Sequence, residues 1–324
     1  MSQITAPNLA RGYAAALGAA AVLSTTAIFI RHLTVTYAIP ALVLAIWRDV
    51  FVVMTLLPIL LIVRPVLLHP ARRHIPFLAI YGVVLATFNA MWTLSVAYNG
   101  AAVATVMAYC SAAFTALLGW WLLKEDLDWG KIGAVALSLG GCVLVAGALD
   151  PSVWRMNPLG ILTGVLSGLS YAGYSLMGRS ASQRGLSPWT SLVYAFGFAA
   201  LLLLFVAQLP VPGGASRPAD LFWLGTSLPG WGLLFLLAAG PTVAGFGLYN
   251  VSLVHLPSSI TNLIVTLEPT FTAVTAYLLL GERLTAIQGL GGLLILGAVV
   301  FLRLHQGHTA RRRRLADPAP AAPA

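Results

Sequence analysis

The sequence is poor in charged residues and in cysteine. Only 8% of its 324 residues are charged, whereas about 25% is usual for soluble domains. Its two cysteines, Cys110 and Cys142, both lie inside apolar runs, so we expect buried thiols rather than a disulfide or a metal site. The sequence also lacks a Gly-rich phosphate-binding loop ending in Lys-Ser or Lys-Thr, which argues against ATP-driven activity by this chain.

Apolar residues make up 59% of the chain, and the mean hydropathy is +0.89. They form continuous runs of about 20 residues, the length of a membrane-spanning helix, rather than the short alternating segments of a β-barrel. The sequence therefore predicts an all-α polytopic membrane protein embedded in a lipid bilayer. The net charge of +9 does not indicate nucleic-acid binding, because the basic residues fall in loops and in the tail.

Ten transmembrane helices are predicted, five in each half of the chain. Their approximate limits are 12–30, 38–63, 75–98, 101–123, 129–149, 158–179, 188–209, 231–254, 257–280 and 284–303. The first run could instead be a signal peptide, but it is long, lacks a strongly basic start and ends in Arg31-His32. The basic and then Pro/Ala-rich segment 304–324 is predicted to be a disordered cytoplasmic tail.

The distribution of Lys and Arg predicts the orientation of these helices. With the N-terminus placed inside, 13 of the 18 basic residues fall in cytoplasmic segments, four fall outside and Arg48 lies within a span. Both termini are therefore predicted to be cytoplasmic. Each half crosses the membrane five times, an odd number, so the second half begins on the opposite side from the first and has the opposite orientation. Such inverted repeats are a frequent plan of secondary transporters, with the substrate site near the midplane.

A weak internal repeat supports this division into halves. At a shift of 157 positions, Phe114-Thr115-Ala116 falls on Phe271-Thr272-Ala273, and the Leu-Leu-x-Glu-x-Leu pattern around Glu125 falls on that around Glu282. These two glutamates lie near the membrane faces, so we expect them to be cap or interface residues. The predicted five-helix repeats comprise residues 1–149 and 158–303.

The segment LLLGERLTAIQGLGGLLILGAVV at 278–300, the preceding Glu268-Pro269 pair and the ten predicted spans resemble the EamA-type transporters of the drug/metabolite transporter superfamily. The likeness covers about residues 11–303. Within the superfamily, the aromatic content and the Arg48-Asp49 pair are most similar to the YddG-type exporters of aromatic and other neutral amino acids. The resemblance implies export of small amphiphilic solutes across the bacterial inner membrane by alternating access, without a cofactor.

Three ionisable residues lie within predicted spans, where a charge is unfavourable and needs a function or a partner. Arg48 and Asp49 are neighbours in span two, so they could form a local ion pair that holds helices together. Alternatively, Arg48 could bind a substrate carboxylate. Glu268 could accept a hydrogen bond from another helix, bind an ammonium group or carry a coupling proton. Its counterpart in the first half is Ser111, so a symmetric pair of midplane carboxylates is absent.

Polar and aromatic side chains recur at helical spacing in spans three, six, eight and nine. Lipid-facing surfaces avoid such groups, so these four faces are predicted to point inward. They could merely hold the helices together, but their number favours a central cavity whose rings would suit aromatic or amphiphilic substrates. The predicted substrate-binding residues are Arg48, Tyr81, Trp92, Ser95, Tyr171, Tyr174, Tyr249, Asn262 and Glu268.

Other functions stay open on the sequence alone. The main alternative is a multidrug, nucleotide-sugar or sugar-phosphate carrier of the same superfamily, although phosphate groups would require more inward cations than Arg48. An enzyme is disfavoured because the span interiors hold no Ser–His pair, paired aspartates or His-rich metal set.

Glycines in spans five and ten predict that these helices pack closely against a neighbour, either as peripheral supports of the bundle or as the surface of a possible homodimer. Pro241 and Pro269 are predicted to break helices locally and to act as bending points.

Overall fold

The computed structural model describes residues 8–145, 149, 157–208, 217–280 and 285–316, and the regular secondary structure of these residues is helical. Its α-helices are α1 (Leu9–Leu23), α2 (Thr26–Thr36), α3 (Ala41–Val63), α4 (Ile75–Tyr109), α5 (Ser111–Leu123), α6 (Trp129–Val145), α7 (Pro158–Gln183), α8 (Pro188–Val206), α9 (Leu228–Leu237), α10 (Val243–His255), α11 (Ser258–Val265), α12 (Glu268–Leu280) and α13 (Ala286–Ala316). Short 3-10 helices lie at Pro65–Leu68, Arg72–His74 and Pro218–Phe222. The predicted hinge around Glu282 lies outside the described residues.

The helices have the length and composition of membrane spans. Among the described residues, six segments are long and apolar enough to cross a membrane, namely Leu9–Thr36, Ala41–Val63, Arg72–Ser95, Pro158–Gln183, Pro188–Val206 and Leu228–His255. Shorter apolar helices lie at Met107–Leu123, Trp129–Leu144 and Gly289–Leu302. Together with α11 and α12, which form one interrupted helix, these segments account for the ten predicted spans. The predicted fold class, an all-α polytopic membrane protein with two inverted five-helix repeats, is confirmed.

The chain reverses direction inside α4, close to the predicted boundary between spans three and four. A Cβ atom placed on Gly164 would lie 2.7 Å from the Ser95 hydroxyl oxygen and 2.7 Å from the Met107 Cβ. Twelve residues of straight helix would separate these two side chains by about 18 Å, so α4 must fold back between them. α4 nevertheless extends to Tyr109, beyond the boundary predicted near 98.

The last two helices of each half begin at equivalent positions. α5 begins at Ser111 and α12 begins at Glu268, and each is 13 residues long. α6 begins at Trp129 and α13 begins at Ala286. Both pairs of starting residues are 157 positions apart, the shift of the sequence repeat, so the repeat extends to the helix boundaries.

Packing between the halves has the symmetry expected of an inverted repeat. α1 packs on α10, and its counterpart α7 packs on α4. In two further cases a helix of the first half packs on the equivalent helix of the second half: α3 packs on α8, and α6 packs on α13. Exchanging the halves therefore preserves these contacts, as in transporters built from two related bundles.

Two helices are interrupted at the predicted prolines. Between α9 and α10, residues Ala238–Thr242 form a π-helical turn that contains Pro241. α11 ends at Val265, and α12 begins at Glu268, directly before Pro269. Proline removes a backbone donor, and its ring clashes with the preceding turn of a helix. Both predicted breaks are confirmed, and the second leaves a helix N-terminus inside a span.

The C-terminal helix is longer than predicted. α13 continues to Ala316, so the expectation of disorder from 304 onward is wrong for residues 304–316. This segment contains alanine, leucine and arginine, which favour helix, and the first proline comes only at Pro318. The helix can therefore continue past the end of the apolar run.

Candidate substrate-binding site

Four of the predicted site residues form a tyrosine cluster where α4, α7 and α10 pack together. The cluster consists of Tyr81 from α4, Tyr171 and Tyr174 from α7, and Tyr249 from α10. Ring centroids lie 4.7 Å apart for Tyr81 and Tyr174, and 5.7 Å apart for Tyr171 and Tyr249. At these separations aromatic rings attract one another beyond simple apolar contact. The cluster therefore joins both halves of the chain at one level of the bundle.

Asn250 forms hydrogen bonds with the hydroxyl groups of Tyr81 and Tyr174, on one side of the tyrosine cluster. Its side-chain oxygen accepts a hydrogen bond from the Tyr81 hydroxyl at 3.1 Å. Its Nδ2 group donates to the Tyr174 hydroxyl oxygen at 2.9 Å and to the Phe246 carbonyl oxygen at 3.0 Å. Because both sides of the amide are engaged, Asn250 fixes the two rings relative to each other.

On the other side of the tyrosine cluster, Asn262 forms hydrogen bonds with Ser175 of α7 and with Ser111 of α5. The Tyr249 hydroxyl and the Ser175 Oγ atom are 2.5 Å apart, and Asn262 Nδ2 donates to this Oγ at 3.0 Å. The Ser111 hydroxyl, at the start of α5, donates to Asn262 Oδ1 at 3.1 Å. The predicted polar faces of α7, α10 and α11 therefore do meet, and Ser111 is an additional member that spacing within one helix could not reveal.

The tyrosine cluster is closed in this conformation. Tyr81, Tyr174 and Tyr249 are 0% exposed, and Asn262 is 1% exposed. In this state these side chains therefore pack against one another instead of lining the predicted central cavity, and their part in substrate binding stays a prediction. Their hydroxyl and amide groups complement one another, and a bundle surrounded by lipid must satisfy such groups internally. A solute could pass this level only if the helices separated.

Glu268 lies beside the tyrosine cluster, at the break between α11 and α12. Its side chain is only partly buried. The carboxylate is within hydrogen-bonding reach of the Tyr109 hydroxyl, and Tyr171 is close enough to interact with it electrostatically. The N-terminus of α12 carries a partial positive charge that favours a carboxylate at this position. Glu268 thus combines a carboxylate, neighbouring rings and a helix terminus in one place.

The two remaining predicted residues of α4 have different surroundings. Phe88 stacks on Tyr171 with ring centroids 4.9 Å apart, and Trp92, about one turn further along the same face, is partly exposed. Ser95 is buried, and its hydroxyl donates to the Gly160 carbonyl oxygen at 2.8 Å. Trp92 therefore keeps an accessible surface, whereas Ser95 fastens α4 to the start of α7.

Arg48 is held in a buried cluster between α3 and α4. Its Nη2 atom donates to Asn89 Oδ1 at 2.6 Å, and Asn89 Nδ2 donates to the two carboxylate oxygens of Asp49 at 2.9 and 3.2 Å. Arg48 Nε lies 3.6 Å from Asp49 Oδ1 and has no hydrogen-bond partner. The local ion pair considered from the sequence is therefore present. Asn89 was missed, although an amide within an apolar span is itself a signal.

A second polar cluster fastens the two halves at one end of the bundle. Glu125, in the loop between α5 and α6, accepts hydrogen bonds from the amide and hydroxyl of Ser258 at 2.7 and 2.6 Å. It also accepts hydrogen bonds from the amide and hydroxyl of Ser259 at 3.2 and 2.5 Å. Lys131 Nζ donates to Ser259 Oγ at 3.2 Å. This Glu125 clasp caps the first turn of α11, so the predicted cap or interface role of Glu125 is confirmed.

The groups near Glu268 are of the kinds that recognise small solutes. The hydroxyl of Tyr109 and the side chain of Tyr171 lie near the Glu268 carboxylate. Within the described ranges, no three His, Cys, Asp or Glu side chains gather into a metal site. Cys142 is buried, Cys110 lies partly buried at the junction of α4 and α5, and no disulfide links them. The arrangement is suited to holding a small solute.

Known proteins of similar sequence are transporters. A "Probable amino-acid metabolite efflux pump" from Escherichia coli (strain K12) is 27% identical over 244 residues, 73% of this chain and 80% of that protein. The "Threonine/homoserine exporter RhtA" of the same organism is 26% identical over 242 residues, 74% of each chain. An "Uncharacterized transporter YwfM" from Bacillus subtilis (strain 168) is 28% identical over 236 residues, 72% of this chain and 75% of that protein.

A solved structure of similar fold and a matching family model support the same conclusion as these relatives. A protein solved by crystallography has the same fold with a TM-score of 0.75 at 15% identity, over 94% of this chain and 99% of that chain. The EamA-like transporter family matches residues 10–147 and 158–304, one match for each half. This multi-pass membrane protein therefore belongs to the EamA-like transporter family.

Proposed function

We propose that this protein is a secondary transporter that exports neutral amino acids, aromatic ones among them, across the bacterial inner membrane, like the YddG-type exporters that it resembles. The observation that carries the proposal is the partly buried Glu268 carboxylate next to Tyr171, whose ring stacks on Phe88. A carboxylate beside rings suits a ligand with an ammonium group and an apolar side chain. The names of two relatives, for amino-acid metabolite efflux and for threonine and homoserine export, support this substrate class.

The proposed roles differ among the candidate residues. Glu268 binds the ammonium group, and Trp92 and Tyr171 contact the side chain of the substrate. Tyr81, Tyr174, Tyr249 and Asn262 form the barrier that must part before a substrate passes. Arg48 and Ser95 act indirectly by fixing α3 to α4 and α4 to α7, since their polar atoms are engaged with protein groups.

The barrier and the Glu125 clasp lie toward the end of the bundle that is predicted to be cytoplasmic. Tyr81 lies six residues after the start of α4, about 9 Å along the helix, and the clasp holds the start of α11. We infer that the conformation described is closed to the cytoplasm. Binding of an internal substrate then requires the clasp to release and the tyrosine cluster to separate, as alternating access demands.

The clasp is asymmetric between the two membrane faces. At the shift of 157 positions, Ser258 and Ser259 correspond to Ala101 and Ala102, while Glu125 corresponds to Glu282. The positions that correspond to the two serines therefore carry no side-chain hydroxyl. This difference supports a closed cytoplasmic end as the favoured state.

Counterflow in proteoliposomes tests the proposed function. Purified protein is reconstituted with internal unlabelled phenylalanine or threonine, and the entry of labelled amino acid is followed. We expect saturable exchange that other neutral amino acids inhibit, and no exchange in protein-free liposomes. Saturable exchange of sugar phosphates, nucleotide sugars or cationic drugs without amino-acid exchange would support the alternative carriers instead. Sugar phosphates are disfavoured at the proposed substrate site, because the Arg48 guanidinium is already engaged by Asn89 and paired with Asp49.

A further inference from the structure

An amphipathic cavity opens at the end of the bundle that is predicted to face the cytoplasm. Its volume is about 1010 Å³, and the ends of α3, α7 and α8 border it. Arg64, Arg179 and Arg184 line it, whereas none of its described lining residues is acidic. Its deeper wall includes Leu56 and Leu60 of α3, so the cavity combines a basic rim with an apolar interior.

Two of the three guanidinium groups are held in place by neighbouring groups. Arg184 lies over the Phe77 ring, with its Cζ atom 4.2 Å from the ring centroid. Arg179 Nη1 donates to the carbonyl oxygens of Leu253 and Val254 at 2.8 and 3.0 Å. A held guanidinium loses less freedom when it binds a ligand, and its planar fork matches the oxygens of a phosphate group.

An apolar groove of about 490 Å³ lies next to this cavity, along the contact between α3 and α8. Neighbouring residues line the two spaces, because Leu67 and Thr190 line the cavity whereas Leu68 and Tyr194 line the groove. Thr190 of the cavity donates to the Leu67 carbonyl oxygen, and Tyr194 of the groove donates to the Leu68 carbonyl oxygen, both at 2.8 Å. Along α8, one stripe of residues therefore leads from the basic rim into the apolar groove.

The dimensions of the groove fit a hydrocarbon chain. The groove is lined on α8 from Val193 to Leu204, and over this stretch the helix rises about 17 Å. One leaflet of hydrocarbon is roughly 15 Å deep. Small side chains at Gly197 and Ala200 line the groove and leave the depression between the helices.

We propose that the cavity and the groove together bind one anionic glycerophospholipid. Its phosphate lies among Arg64, Arg179 and Arg184, and an acyl chain lies in the groove between α3 and α8. Charge complementarity selects the head group, because basic pockets between membrane helices bind anionic lipids. The adjoining groove selects a lipid over a free phosphate, which would leave the apolar surface unfilled. This inference does not depend on the transported substrate.

The lipid would stabilise a contact between the halves of the chain. α3 belongs to the first half and α8 is its counterpart in the second, and the two helices pack on each other. A molecule that fills the groove on their outer side is therefore positioned to hold the repeats together.

Native mass spectrometry with phosphatidylglycerol and zwitterionic phosphatidylethanolamine tests the proposal. The cavity variant is Arg64→Gln/Arg184→Gln, and its charge-matched control is Arg72→Gln/Lys124→Gln, at residues that do not line the cavity. A groove variant, Gly197→Leu, keeps every charge. It should fold, because a Cβ atom at position 197 would meet its nearest neighbour, Val53 Cγ2, at 3.9 Å.

We expect the wild-type protein and the control to retain phosphatidylglycerol in preference to phosphatidylethanolamine. Both the cavity variant and the groove variant should lose about tenfold in retained phosphatidylglycerol. Equal retention of the two lipids, or equal losses in the control and the cavity variant, would overturn the proposal. Unchanged binding by Gly197→Leu, with full displacement by glycerol 3-phosphate, would indicate a site for a free phosphate instead. Size-exclusion profiles establish that each variant is folded.

Discussion

Glu125 and Ser259 are joined by two hydrogen bonds, from the amide at 3.2 Å and from the hydroxyl at 2.5 Å. Ser258 contributes two more, so four donors converge on a single carboxylate. Hydrogen bonds to an ionised acceptor are stronger than those between neutral groups. Since Glu125 belongs to the first half and both serines to the second, any separation of the halves at this end must break all four.

Glu125→Gln should loosen this end of the bundle. Glutamine offers only one acceptor oxygen, and its NH₂ group faces backbone N–H donors. Losing charged hydrogen bonds worth about 1.5–3 kcal/mol should speed amide hydrogen exchange in α11 by roughly 10- to 100-fold. Hydrogen–deuterium exchange with mass spectrometry measures this rate for peptides that cover 258–265.

Asp126→Asn is the control for Glu125→Gln. It removes the neighbouring negative charge, and the four hydrogen bonds that Ser258 and Ser259 donate to Glu125 stay in place. Exchange in α11 should then remain within about twofold of the wild-type rate. If both variants accelerate exchange equally, the general charge of the loop rather than the clasp holds the helix.

Glu268→Gln should reduce amino-acid exchange at least tenfold and remove any acid-range pH dependence of transport. Glutamine keeps the shape of the side chain but can neither pair with an ammonium group nor exchange a proton. Counterflow measured from pH 5 to pH 8 gives both quantities, and the thermal unfolding temperature reports on folding. Unchanged flux at every pH would remove Glu268 from the mechanism.

Trp92→Ala should weaken aromatic substrates more than small ones. A ring contact adds roughly 0.5–1.5 kcal/mol, so the half-saturation concentration should rise about three- to tenfold for phenylalanine and little for threonine. Trp120→Ala provides the matched control, because Trp120 is 54% exposed and its ring lies on the outside. Equal losses for both substrates would argue against contact between Trp92 and the substrate side chain.

Asp49→Asn should destabilise the protein strongly. The substitution leaves the Arg48 guanidinium buried without its counter-ion, and breaking such a pair costs about 3–5 kcal/mol. The double variant Arg48→Met/Asp49→Asn removes the unpaired charge and should recover most of the loss. Thermal unfolding in detergent compares the three proteins. A single variant as stable as the wild type would show that the pair contributes little to stability.

The apolar runs and the position of the repeat could be predicted from the sequence, because they depend on local composition. The 157-residue shift that aligns Glu268 with Ser111 also relates the starts of α5 and α12. Pro241 and Pro269 predict helix breaks because proline acts on its own backbone. The extent of α13 was missed because a polar helix has no hydrophobic pattern to mark its end.

The pairing of side chains between helices could not be predicted. Tyr81 and Asn250 are 169 positions apart, and neither residue indicates the partner that it will find. The polar faces were identified correctly as inward-facing, but a face that lines a cavity and one that packs against another polar face have the same spacing. Which of the two occurs depends on the conformational state, and one sequence must serve all states of a transporter.

The unequal serines and alanines of the repeat have a kinetic consequence. A carrier with a stronger lock on one face waits longer with that face shut, so the two half-cycles proceed at different speeds. An exporter of this kind would spend most of its time accessible from outside, and release of the clasp would limit its turnover. On the proposed function, substitution of Ser258 and Ser259 by alanine would remove the two hydroxyl donors of the clasp and shift the dwell time toward the state open to the cytoplasm.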